Sequence, residues 1–151
     1  MGLMELLQDN SFLSRQTYLD IMGAERIGHG YAALDDISVY ERCRKENVHF
    51  EVCPTSSIMT GAVSAGDAAS LKHPIIRFAQ DNINFSINTD DPTVTGTYIQ
   101  NEIELIRSWG LTETHITRSM FNAARSSFLP QDEKKDLLKK LRKVYSIDVD
   151  E

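Results

Sequence analysis

The chain has 151 residues, 41% of them hydrophobic and 25% charged, the size and balance of one soluble globular domain with enough apolar content for a core. A net charge of -6 and a pI near 5.2 argue against a protein that tracks a phosphate backbone, since such proteins present a basic face, and no nucleic-acid partner is expected. No run approaches the ~20 apolar residues of a membrane span. The opening MGLMELLQDN also lacks the basic flank and apolar stretch of a secretion signal, so a cytoplasmic protein is expected.

In chain order, short apolar runs alternate with longer helical segments, the signature of βα units. Residues 1–24 form a segment of uncertain structure, and the patterned domain covers 25–151. A first strand is expected at 26–29, followed by a helix over about 35–46. There Leu34, Ile37, Tyr40 and Cys43 fall at helical spacing, and Asp35 or Asp36 is available as N-cap. A second strand, 48–53, is closed by Pro54. A small-residue loop, 56–70, leads to a helix over roughly 74–81 with Pro74 in its first turn. The third strand is expected at 84–88.

Two further helices are expected at about 97–108 and 113–127. Thr112 caps the second, with Leu111 and Ile116 as a hydrophobic staple. A last helix follows Pro130, with Asp132 and Glu133 in its first turn and lysines toward its end, as the helix dipole favours. The basic run from Lys134 to Lys143 is interleaved with Leu137, Leu138 and Leu141, so it reads as the wet face of an amphipathic helix. Three successive βα units imply parallel strands, and three strands alone leave two raw edges. The expected architecture is therefore an incomplete piece of a larger parallel sheet or barrel, unless residues 1–24 or a second chain cover those edges.

Functional groups in parallel βα folds gather where strands end. The first end is Gly28-His29-Gly30, where the bare glycines leave room for close approach of a substrate or metal. The histidine is equally readable as a structural, hydrogen-bonded residue. The third end, Asn88-Thr89-Asp90-Asp91-Pro92, sets two carboxylates side by side, a costly pairing unless a cation or a proton relieves it. The same residues also suit a turn in which an aspartate caps a short helix starting at Pro92. The second end, Cys53 to Ser57, offers hydroxyls and backbone amides but no G-x-S-x-G nucleophile elbow. Cys43 and Cys53 lack CxxC spacing and read as free thiols, Cys53 as a buried small hydrophobe. His49, His73 and His115 read as structural or solvated, and Trp109 as a packing anchor.

Taken together, ERIGHGY at 25–31, HFEVCPTSSIMTGA at 49–62, SINTDDP at 86–92 and NAARSSFLPQDEK at 122–134 resemble the C-terminal half of the adenosine deaminase family. The resemblance implies the last three βα units and C-terminal helices of a (β/α)8 TIM barrel of the metal-dependent hydrolase type. It implies hydrolytic deamination of adenosine or deoxyadenosine to inosine or deoxyinosine, within purine salvage, with one zinc ion as cofactor. By motif, Asp90 would be a zinc ligand, His29 a catalytic group beside the metal-bound hydroxide, and Asp91 a substrate-binding residue at purine N7. The family's H-x-H pair, its further histidine and its H-A-G-E glutamate do not occur in these 151 residues. The chain by itself is thus expected to be catalytically incomplete. A non-catalytic half barrel that pairs with a complementary chain is the alternative reading. An unrelated carbohydrate or phosphate enzyme on the same barrel has only the architecture behind it.

Overall fold

A computed structural model of the chain describes residues 23–63 and 73–146. Three strands, β1 (Arg26–Gly28), β2 (His49–Val52) and β3 (Phe85–Ile87), form one parallel sheet in the order β1-β2-β3. Parallel neighbours in sequential order are the arrangement of a (β/α)8 barrel, whereas a doubly wound sheet reverses its order partway. Ile27 pairs with Phe50, Phe50 with Phe85, and Val52 with Ile87.

The two-residue period of a strand divides these positions between two faces. Phe50, Val52 and Phe85 belong to a core with Tyr40, Cys43, Ile75, Phe78 and Ile106, and Ile27 and Ile87 pack against it. Phe50, Phe78 and Phe85 are fully buried, each contributing about 1.5–3 kcal/mol relative to an exposed ring. The opposite face is polar. Arg26 Nε donates to Glu51 Oε1 at 2.9 Å, and Arg26 Nη1 donates to the Ser126 carbonyl at 2.9 Å. His49 lies 2.8 Å from Asn84 Oδ1 through Nδ1 and 2.9 Å from Ser86 Oγ through Nε2. Its burial lowers its pKa, so a neutral ring bridges β2 and β3.

Helix α1 (Ile37–Lys45) follows a 3-10 turn, Tyr31–Asp35, and of the two candidate caps it is Asp36 that accepts from the Ser38 and Val39 amides. One expectation fails here. The segment read as a loop from residue 56 opens with a helix, α2 (Pro54–Met59), because Pro54 pre-sets the first helical φ and lacks an amide to leave unpaired. Residues 64–70 of that segment lie outside the described residues. Helix α3 (Pro74–Gln80) is capped by His73, whose Nδ1 accepts from Ile75 N at 3.2 Å. The expected helix at 97–108 is preceded by a short one, α4 (Pro92–Thr95), and itself begins later, as α5 (Ile99–Ser108).

Helix α6 (Glu113–Arg125) starts as its sequence implies. Thr112 caps it, and Leu111 and Ile116 are both buried. The return bond of its capping box comes from a histidine: His115 Nδ1 accepts the Thr112 amide at 3.1 Å. His115 is half-buried, and of the two readings open to it in the sequence the structural one holds. Helix α6 packs across β3 and carries α7 (Gln131–Val144), which has no fully buried residue. Among the described residues no helix is long and apolar enough to cross a membrane.

Candidate functional site

The C-terminal ends of the three strands open into one cavity of about 460 Å³, lined by Gly28, His29, Glu51, Cys53, Ile87, Asn88, Thr89, Asp90 and Ile99. Each strand delivers a different chemistry to it. β1 ends at His29, β2 at Cys53, and β3 continues into Asn88, Thr89 and Asp90.

His29 and Asp90 both hold left-handed backbone angles, with φ of 59° and 62°. Such angles are uncommon outside glycine and accumulate where a side chain must be aimed against its local preference. Here the aim is mutual, since His29 Nε2 lies 3.4 Å from Asp90 Oδ2. Helix α2 supports both residues. Ser56 Oγ donates to Asp90 Oδ2 at 2.7 Å, and Ser57 Oγ lies 2.9 Å from His29 Nδ1.

The Ser57 contact sets the histidine tautomer. Ser57 has a single hydroxyl proton, and it donates that proton to the Cys53 carbonyl at 2.7 Å. Toward His29 it can only accept, so Nδ1 carries the ring hydrogen. A neutral His29 then turns the bare Nε2 toward a carboxylate oxygen, two acceptors face to face. A second ring proton, a proton-donating ligand or a cation between them satisfies both.

The two glycines around His29 differ in purpose from the expectation of open room. A Cβ on Gly30, at φ 79°, would lie 2.6 Å from Phe50 Cγ, so this glycine is required by core packing and backbone angle. A Cβ on Gly28 would meet only Glu51 Oε2, at 4.0 Å, along the cavity wall. Asp91 is not among the residues lining the cavity. Its Oδ1 accepts from Thr93 N at 3.0 Å and Val94 N at 3.4 Å, capping α4 with Pro92 at the first helical position. The helix-cap arrangement open in the sequence is thus present.

His29, Cys53 and Asp90 each offer one donor atom, all within 4.8 Å of one another. Burial pushes the Cys53 thiol up to about 12, with the Asp90 charge adding to it, and Sγ donates to the Glu51 carbonyl at 3.3 Å. It is a free buried thiol, as its apolar setting suggested. A zinc ion needs three or four protein ligands. Among the described residues, Asp90, His29 and Cys53 are the group that could hold a metal ion, with Cys53 bound as a protonated thiol to the Glu51 carbonyl. In the sequence Ser56 and Ser57 are legible only as hydroxyls near a strand end, because their role depends on α2, whose residues pattern as the start of a loop.

The sequence model of the family described as adenosine deaminase matches residues 14–144, beginning within the segment set apart as 1–24. An adenosine deaminase from Bos taurus is 45% identical over 130 residues, covering 85% of this chain and 35% of that protein. Among solved structures, an adenine deaminase from Arthrobacter aurescens superimposes with a TM-score of 0.79 at 27% identity, over 89% of this chain and 40% of its own length. An amidohydrolase from Burkholderia ambifaria, solved with bound Zn, shares the fold with a TM-score of 0.70 at 23% identity, over 90% of this chain and 39% of its own. The chain spans about a third of the length of the curated relatives it matches. With its sequential parallel strands it forms part of a TIM barrel, and it belongs to the adenosine deaminase family.

Proposed function

We propose that this chain supplies the C-terminal share of a zinc-dependent active site that hydrolyses the 6-amino group of adenosine or deoxyadenosine. The observation that carries the reading is the convergence of His29 Nε2 on Asp90 Oδ2 at 3.4 Å, at the strand ends of a barrel segment. Asp90 is the zinc-ligand carboxylate of this reading, and Ser56 fixes the oxygen it shares with His29. His29 stands beside the attacking oxygen and stabilises the charge that develops there, its Nδ1 hydrogen committed to Ser57. Asp91 is the residue of this reading that would hydrogen-bond purine N7, through the carboxyl oxygen that the α4 cap leaves free. Zinc, when bound, lowers the pKa of a coordinated water toward neutrality.

The other ligands and the proton-shuttling glutamate lie outside these 151 residues, so the chain alone turns over no adenosine. Purified chain with added zinc is expected to leave adenosine absorbance unchanged. Mixing it with a polypeptide that carries the H-x-H and H-A-G-E segments of a family member is expected to restore zinc-dependent turnover, lost again in Asp90→Ala. Turnover by the chain alone would sink the incompleteness argument. Turnover unaffected by Asp90→Ala in the mixture would sink the assignment of the ligand.

The free outer edges of β1 and β3 among the described residues favour a second, compatible reading, in which a complementary chain covers them. Light scattering on the same mixture tests it. A cytoplasmic location and a place in purine salvage accompany the enzymatic reading.

A further inference from the structure

Glu102 is fully buried, and no step proposed above uses it. A carboxyl group without solvent must find partners in the protein. Its Oε2 accepts the backbone N–H of Thr55 at 3.1 Å, while Oε1 has no hydrogen-bond partner. The Thr55 amide is the first free donor of α2, because Pro54 has none, and Cys53 at the N-cap gives no side-chain cap. Glu102 therefore supplies from α5 the cap that α2 lacks locally. The next two residues of α2 are Ser56 and Ser57, which hold Asp90 and His29. Tyr31 places its buried hydroxyl in the same enclosed region, near Ser57, Cys53 and Glu102, and that hydroxyl also lacks a well-formed partner.

We propose that Glu102 is a positioning residue for this site: by anchoring the Thr55 amide it sets the placement of α2, and so aims Ser57 at His29 and Ser56 at Asp90. The proposal rests on reading His29 and Asp90 as the reactive pair. Its test reads the geometry of His29 directly, so failure of the deaminase reading and failure of this one are separable.

The test uses the 151-residue chain with 15N-labelled histidine, in which two-bond proton-nitrogen correlations report each imidazole tautomer. Wild-type His29 is expected as the Nδ1–H form. In Glu102→Ala, His29 is expected to become a mixture of tautomers. Hydrogen exchange at the Thr55 amide is expected to accelerate about tenfold, the usual consequence of losing an intramolecular hydrogen bond. His49, held by Asn84 and Ser86 elsewhere in the sheet, is the internal control and stays unchanged. Glu102→Gln keeps an acceptor oxygen and is expected to restore the wild-type His29 signal. A general packing role would not separate His29 from His49 in this way.

An unchanged His29 in folded Glu102→Ala overturns the proposal, as does a Gln variant indistinguishable from Ala. Should the alanine chain lose its His49 signal and fail to fold, Glu102→Asp decides the matter. With one methylene fewer it withdraws the carboxylate from Thr55. A shifted His29 tautomer supports the proposal, and an unshifted one with accelerated Thr55 exchange overturns it.

Discussion

Gly30→Ala tests the packing beneath the site. The added methyl carbon would lie 2.6, 2.8 and 3.0 Å from three ring carbons of Phe50, which is itself fully buried against Phe78. Neither ring has an open side to move into. At φ 79° the alanine also carries left-handed strain of about 1–2 kcal/mol, and forcing a methyl into a filled core adds about 1–3 kcal/mol. The expected loss is about 2–5 kcal/mol, a large part of the roughly 5–15 kcal/mol typical of a folded domain. Gly96→Ala is the matched control, since Gly96 has φ 64° and nothing within 4 Å of its would-be Cβ. It should lose only the backbone share, about 1–2 kcal/mol. In urea melts, where a small domain loses about 1–3 kcal/mol per molar denaturant, Gly30→Ala should fall at a midpoint about 1 M below Gly96→Ala. Adding Phe50→Leu should recover part of that gap and no more, because the mutated positions are in contact. Equal midpoints for the two glycine variants would refute the reasoning.

Three further outcomes follow from the same geometry. His73 is buried and stacked on Trp109 at 4.4 Å, and burial lowers its pKa to about 4. Its stabilising contribution is complete above pH 6.5 and disappears as pH falls toward 4, amounting to about 3 kcal/mol from the displacement of its pKa. Trp109 is the sole tryptophan, so its fluorescence should report the transition, and His73→Asn should flatten it by keeping an N-cap that does not titrate; an unchanged pH profile in that variant would contradict the account. Ser56→Ala frees the Asp90 oxygen and should weaken zinc binding about 10–100-fold in a mixture that assembles the complete ligand set. Isothermal titration measures this, and unaltered affinity would show that Ser56 does not orient the ligand. Asp91→Ala should cost about 1 kcal/mol through loss of the α4 cap while Asp91→Asn costs a few tenths at most; urea melts that rank the two variants the other way would remove the cap.

Much of the architecture was present in local pattern. Pro74, Asp36 and Thr112 mark helix starts through their own side chains or fixed φ, and those helices begin where the residues place them. The strands were legible as short apolar runs between turn-forming residues, although the polar face they share shows only after alternation is combined with register. Helix α2 escaped because its serines and threonine are weak helix formers. The Glu102 carboxyl that caps its first free amide comes from a residue 47 positions away.

Sequence alone therefore determined the βα succession, the family, and the nomination of His29, Asp90 and Asp91, all carried by residues adjacent along the chain. Only the folded arrangement decided which of them meet. It brought His29 to Asp90, committed Asp91 to a helix cap, and joined Ser56, Ser57 and Glu102 to the site. The physical reason is range: caps, turns and alternation act within a few residues. A hydrogen bond between distant elements exists only once the sheet and its helices have set their spacing.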